Sequence, residues 1–160
     1  MKTFVGTLAL AATLLCGAAT HAADYSKRAL HLDETIKAKL LGRWTNPVDN
    51  LVVEIRSLDL VTGEIRGVEW PTIPLRPDSS PAGTEHDVIG WVGGAAANAT
   101  MDNVLPVSFS TSLFEYGTLP VWAGYLKDGK IVTMHYLVWP NRTYPWDHIS
   151  SFQETWTKIP

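Results

Sequence analysis

The feature that constrains the fold most is a succession of short β-like runs, separated by turn residues, that starts at Gly42. The runs are rich in β-branched and aromatic residues, and they cover residues 43–57, 64–70, 87–92, 104–110, 121–126, 130–138 and 148–158. Since the first run reads as one strand or as two, the sequence predicts seven or eight strands. No crossover helix is indicated between them, so each strand is expected to pair antiparallel with the next. The predicted fold class is all-β: an eight-stranded antiparallel up-and-down β-barrel, whose closure removes exposed strand edges.

The clearest hairpin signal lies between residues 121 and 138. Asp128-Gly129 supplies the two residues with positive φ that a type I′ turn requires, and alternating strand-like residues flank it on both sides. Gly124 lies inside the first strand of this hairpin, close to Trp122. A glycine there indicates that a neighbouring backbone passes closely or that a ligand lies against the indole.

The N-terminus has the layout of a secretory signal peptide, with a basic start, a short apolar run and a small-residue end. We expect residues 1–22 to be this signal, residues 23–41 to form an N-terminal tail with one helical turn, and residues 42–160 to form the barrel domain. The expected location is secreted or periplasmic. The only cysteine, Cys16, falls within the signal, so the mature chain would hold no disulfide, thiolate metal site or cysteine nucleophile.

Composition excludes several classes of partner. The formal net charge of -3 gives no electrostatic reason to expect binding to nucleic acid or to an anionic membrane. No later apolar segment is long enough to span a membrane. The histidines beyond the signal are scattered and show no ligand spacing, so we predict no metal site; they are His31, His86, His135 and His148. Seven tryptophans are more than a small barrel core needs, and some are expected to line a cavity or a subunit interface.

Three stretches of the chain resemble the avidin and streptavidin family of biotin-binding proteins. Residues 42–46 (GRWTN) and 63–67 (GEIRG) are similar to its first hairpin, and residues 154–159 (ETWTKI) resemble its last strand. The resemblance extends over residues 41–160. It implies a biotin-binding β-barrel that is not an enzyme, has no cofactor, takes biotin as its ligand and self-associates as a dimer or tetramer.

The resemblance also implies polar residues that would contact biotin. Asn46 stands at the family's first-strand asparagine, whose amide would donate to the ureido oxygen, and Asn50 could serve as a second donor. Glu154 occupies the position of an acceptor for a ureido N–H. Thr118 matches a hydroxyl residue near the valeryl tail. Asn46, next to Pro47, is equally a residue that turns favour.

An aromatic cage around the ligand carries over by the same resemblance. Trp122 and Trp146 match family tryptophans, whereas Phe109 and Tyr136 stand in place of tryptophans. In the family the last of these aromatic residues reaches over from a neighbouring subunit, which assigns that role to Trp146 here. If this holds, the working unit is at least a dimer.

The chain departs from the family pattern at three further positions. Glu69 takes the place of a tyrosine whose hydroxyl would donate to the ureido oxygen, and an ionised carboxylate can only accept. Either Glu69 stays protonated in an apolar site, or the strand is shifted by one residue and Trp70 faces inward. Pro71 and Pro120 replace hydroxyl residues. We therefore expect reduced affinity for biotin.

Other functions compete with biotin binding. The motif Gly42-Arg43-Trp44 also fits the start of a lipocalin, although no segment follows the last strand that could form the helix of that fold. An avidin-like barrel with these substitutions could instead bind a different small ligand. A glycosidase would need Glu69 and Glu154 as a carboxylate pair at the separation that this chemistry requires.

Overall fold

The structure, a computed structural model, describes residues 32–74, 81–93, 104–113, 117–140 and 142–160. The predicted signal peptide, with Cys16, lies outside these residues. The eight strands are β1 (Gly42–Asn46), β2 (Leu51–Leu58), β3 (Glu64–Pro71), β4 (His86–Val92), β5 (Leu105–Thr111), β6 (Leu119–Lys127), β7 (Lys130–Val138) and β8 (Ile149–Ile159). Each strand pairs antiparallel with the next, and β8 pairs with β1 to close the barrel. The predicted fold class is confirmed, and the first β-like run is two strands joined by a turn at residues 47–50.

The β6–β7 hairpin forms as its turn residues predict. Asp128 has φ 50° and Gly129 has φ 73°, the positive values of a type I′ turn, and Lys127 pairs with Lys130 on either side. A Cβ atom added at Gly124 would collide with the carbonyl oxygen of Val132 on β7. Close approach of this neighbouring backbone therefore accounts for Gly124.

A short helix, α1 (Glu34–Leu40), lies against one end of the barrel. It begins at Asp33, whose side chain accepts a hydrogen bond from the Ile36 N–H at 2.9 Å, and it is longer than the single turn expected from the sequence. Leu40 is fully buried in the core, and the Trp44 indole donates to its carbonyl oxygen at 2.8 Å. Lys158 at the end of β8 donates to two carbonyl oxygens of α1, which ties the helix to the barrel.

Alternation along each strand decides which side chains enter the barrel. On β3, Glu69 pairs in register with the buried Val53 and is itself buried, whereas Trp70 lies on the outer face with the Arg43 guanidinium 5.7 Å from its ring centroid. The shifted register that would turn Trp70 inward is therefore not adopted. None of the helices in the described ranges has the length and apolar character that crossing a membrane requires.

Candidate functional site

Four rings on adjacent strands form a continuous row, of which three are buried in the barrel interior and the fourth, Phe152, is 53% exposed. Strand register aligns Phe109 on β5 with Trp122 on β6, then with His135 on β7 and Phe152 on β8. Their centroids lie 5.2, 4.5 and 6.1 Å apart in that order, and the first two pairs are stacked. Trp156 meets Phe109 and Trp122 edge-on at 5.7 and 5.9 Å. We call the first four residues the aromatic row; it gives one side of the interior a flat, mostly apolar wall.

Glu154 lies beside this row and is only 4% exposed. Its Oε2 accepts a hydrogen bond from the Trp122 indole at 2.9 Å, and its Oε1 lies 2.6 Å from Nδ1 of His135. Burial would raise the pKa of Glu154, but hydrogen bonds with His135 and Asp49 outweigh burial and lower the pKa below its ordinary value. The barrel thus holds an ionised, oriented acceptor in its interior.

Asp49, in the turn between β1 and β2, joins Glu154 from the other side. Its hydrogen bond with Glu154, together with burial, raises the pKa of Asp49 to about 7, because the two carboxyl groups hold one proton between them. Asn46 donates to Asp49 Oδ2 at 3.2 Å while its own Oδ1 accepts from the Val48 N–H at 3.0 Å. Asn46 therefore stabilises the turn and also holds Asp49 in the site. We refer to Asn46, Asp49, Trp122, His135 and Glu154 as the Glu154 cluster.

Glu69 is a second buried carboxyl group, 3% exposed, outside that cluster. Within the described ranges its Oε2 is buried and has no hydrogen-bond partner. Burial, and then the negative charge of Glu154, raise the pKa of Glu69 to about 7. Glu69 therefore carries a proton in mildly acidic solution and loses it near neutral pH.

The structure brings together most of the residues that the sequence indicated. The predicted residues buried in the barrel interior are Asn46, Glu69, Phe109, Trp122 and Glu154. Thr118 is also buried, at the end of the loop before β6, where its backbone pairs with Leu113. Asn50 is half-buried in the β1–β2 turn, at φ 54°, and its backbone carbonyl oxygen accepts from the Thr72 N–H at 2.7 Å.

Two residues of the predicted aromatic cage remain to be placed, Tyr136 and Trp146. Tyr136 was predicted to face inward, and this is wrong: it lies on the outer face of β7 and is 40% exposed. Because side chains alternate along a strand, Ile131, Thr133 and His135 are the buried residues of β7, and His135 takes the interior place. Trp146 lies in a 3₁₀ helix, Pro145–His148, between β7 and β8, and its side chain is outside the described part of the chain.

Sequence reasoning missed Asp49 and His135. The inward position of His135 could have been predicted from the sequence. Pairing the strand residues outward from the Asp128-Gly129 turn aligns Trp122 with His135 rather than with Tyr136. No sequence pattern predicted the role of Asp49, because the direction of its side chain depends on the folded conformation of the turn.

Three members of the Glu154 cluster are also types of residue that bind metals. Asp49, His135 and Glu154 each offer a ligand atom, and these atoms lie within 4.8 Å of one another. Two atoms bound to one zinc ion at about 2 Å lie roughly 3.3 Å apart in a tetrahedral site, whereas the His135 and Glu154 atoms are 2.6 Å apart. We therefore assign these groups to hydrogen bonding. The absence of a metal site stays a prediction.

The fold and the interior site define the class of protein as an avidin-like β-barrel. Core-bradavidin matches with a TM-score of 0.58 and 26% identity over 73% of this chain and 97% of that one. Apo shwanavidin gives 0.56 and 23% over 75% and 96%, and a biotin binding protein from chicken gives 0.61 and 16% over 78% and 98%. No protein-family model and no curated protein sequence matches the chain. These similarities support a divergent avidin-like protein.

Proposed function

We propose that this protein binds biotin inside the barrel, against the aromatic row and within reach of Glu154 and Asn46. The observation that carries the proposal is the buried hydrogen bond from Trp122 to Glu154, which orients an ionised acceptor beside an apolar wall. A ureido N–H needs such an acceptor, and the thioether ring of biotin needs apolar contact. The similarity to a biotin binding protein from chicken supports the same ligand.

The ureido oxygen would need donors, and the asparagines supply them. One amide N–H of Asn46 donates to Asp49, and the second N–H of the same amide would reach the ligand. Asn50 follows in the same turn, and Thr118 would lie near the carboxylate tail. Trp146 would cover the site from a neighbouring subunit.

We propose that the affinity for biotin is lower than it would be with hydroxyl residues at positions 69, 71 and 120. The inward-facing positions of Pro71 and Pro120 carry no side-chain donor, and Glu69 replaces a tyrosine hydroxyl. Each lost hydrogen bond costs about 0.5–1.5 kcal/mol, and a buried partner left unpaired costs about 1–3 kcal/mol. Two or three such losses lower affinity by several powers of ten.

We also propose that the protein acts outside the cytoplasm, as a secreted or periplasmic binding protein without catalytic activity, and that it self-associates. The outer apolar face consists of Tyr125, Met134, Tyr136 and Val138, whose side chains are 36–40% exposed on adjacent strands. Apolar side chains clustered on one face are typical of an interface, and the family resemblance makes a second copy of this chain the expected partner.

Titration calorimetry of the purified protein with biotin tests the binding proposal. We expect heat and a raised melting temperature, both reduced in Glu154→Gln, which removes the charged acceptor. Glu64→Gln is the matched control, since Glu64 pairs with Arg66 at the barrel surface. Neither heat nor a thermal shift at millimolar biotin would rule the proposed function out.

A further inference from the structure

The barrel interior is acidic, so a ligand with a carboxylate tail has to place that tail elsewhere. Glu154 contributes to the raised pKa of both Asp49 and Glu69, which shows that these three carboxyl groups lie close together. Like charges repel strongly at short separation where water is excluded. The carboxylate of biotin is therefore expected at an end of the barrel, where water reaches it.

One end of the barrel is closed by packed side chains. Helix α1 lies against this end, and Leu40 is fully buried there in the same apolar cluster as Ile65 and Ile131, near the starts of β3 and β7. The tail is therefore expected at the opposite end, where β7 ends at Val138 and β8 begins at Ile149.

Trp139 follows directly after β7 and continues the side of that strand that holds His135. Its indole donates to the Ser150 hydroxyl at 3.3 Å, and Ser150 lies on the same side of β8 as Phe152. The Trp139 backbone N–H donates to the His148 carbonyl oxygen at 2.8 Å, one pair beyond the last pair of β7 with β8. The indole is therefore fixed at the rim of the barrel, on the side of the interior.

The guanidinium of Arg142 lies over this indole, with its central carbon 4.7 Å from the ring centroid of Trp139. Arg43, Arg56 and Arg66 each form a salt bridge with a glutamate. Among the residues that the structure describes, no carboxylate pairs with Arg142. Since the indole covers one face of the guanidinium, the N–H groups at its edge stay available to a carboxylate, which they fit in bidentate geometry.

We propose that Arg142, held in place by Trp139, binds the carboxylate end of the ligand and so favours a free acid over the same ligand joined through an amide. This inference rests on the proposed function, because it concerns the far end of a ligand bound in the barrel. It makes Arg142 a residue that determines specificity, and the protein takes up free biotin in preference to an amide-linked biotinyl group.

The preference is expected to be modest and to depend on salt. An exposed ion pair is weakened by water and by salt, so the gain for the free acid is expected to be about three- to tenfold in affinity. Repulsion by the interior carboxylates acts in the opposite direction. Raising the salt concentration therefore lowers the preference if Arg142 sets it, and raises the preference if repulsion dominates.

The test compares biotin with biotinamide, in which a neutral primary amide replaces the carboxylate, by titration calorimetry at pH 7.0. In the wild-type protein, the ratio of biotin affinity to biotinamide affinity is expected to fall as NaCl is raised from about 50 mM to about 500 mM. In Arg142→Gln the ratio at low salt should be about three- to tenfold below that of wild type. Lys130→Gln is the matched control: it also removes one positive charge, but from an exposed position at the other end of β7, and it should keep the wild-type ratio.

Each outcome decides the inference. A wild-type ratio that stays level or rises with salt, while biotin binds, overturns the role of Arg142 and leaves the proposed function standing; this measurement needs no variant. An unchanged ratio in Arg142→Gln overturns it as well. An equal fall of the ratio in Lys130→Gln also does so, because the preference then does not depend on where the charge lies. Binding of neither ligand rules out the proposed function and the inference with it.

Discussion

The indole of Trp122 and the carboxylate of Glu154 form a buried hydrogen bond of 2.9 Å between β6 and β8, with neither residue more than 4% exposed. Since β7 lies between these strands, the bond crosses the interior face of three strands. Trp122→Phe keeps a ring in the aromatic row and removes the donor. A hydrogen bond to a charged group is worth about 1.5–3 kcal/mol, so biotin affinity, measured by calorimetry, should fall by roughly 10- to 100-fold.

Trp156→Phe is the matched control for this substitution. Trp156 is as buried as Trp122, and its indole donates to the Thr133 hydroxyl at 3.1 Å rather than to the Glu154 cluster. Both variants should lose similar unfolding free energy, while Trp156→Phe keeps most of its biotin affinity. An equal loss of affinity in the two variants would mean that the indole N–H of Trp122 has no special role in binding.

Glu69 should make the unfolding free energy depend on pH. The folded protein holds the Glu69 proton up to about pH 7, whereas the ordinary pKa is 4.5. Since the folded state binds more protons in this interval, stability from this group is complete below pH 4.5 and is lost as pH rises to about 7. The loss is on the order of 3 kcal/mol.

Denaturant unfolding of wild-type and Glu69→Gln proteins at pH 5 and pH 8 measures this effect. The unfolding free energy of wild type should drop relative to the variant at the higher pH. Glu64→Gln, on the same strand but at the surface, should follow wild type. If wild type and Glu69→Gln keep the same difference at both pH values, Glu69 does not titrate in the folded protein as its burial implies.

Much of the fold could be predicted because strand periodicity and turn chemistry are local. The Asp128-Gly129 turn and the order of the strands were both recognisable from residue types alone. Tyr136 was predicted to face inward, which is wrong by one residue, because a shift of one residue along a strand exchanges its two faces. Counting pairs from the turn gives His135 instead.

The chemistry of the site was harder to predict, because it depends on burial and on contacts between distant residues. The sequence left open whether Glu69 or Trp70 faces the interior, and only the strand register places Glu69 inside, paired with Val53. The proton shared by Asp49 and Glu154 joins a turn to a strand about a hundred residues later in the chain, which no pattern in the sequence signals.

Leu40 should contribute to stability and not to binding. It is fully buried where α1 meets the barrel, and the Trp44 indole bonds to its carbonyl oxygen. Leu40→Ala is expected to lower the unfolding free energy by about 2–5 kcal/mol, while Lys39→Ala, at an exposed position of the same helix, should change it little. Thermal unfolding measures the loss. A large fall in biotin affinity in the folded Leu40→Ala protein would contradict a purely structural role for this end of the barrel.

The outer apolar face should control self-association. Met134 lies at its centre, paired in register with Ala123 and Gln153, so Met134→Lys would place a charge among uncharged neighbours. Burying that charge against a second copy is costly, and sedimentation velocity should show a shift toward monomer. Val61→Lys is the control, since Val61 is an exposed apolar residue in the β2–β3 turn. If both variants sediment as wild type does, this face is not the interface. If Met134→Lys becomes monomeric and also releases biotin faster, a neighbouring subunit contributes to the site, as the family resemblance implies for Trp146.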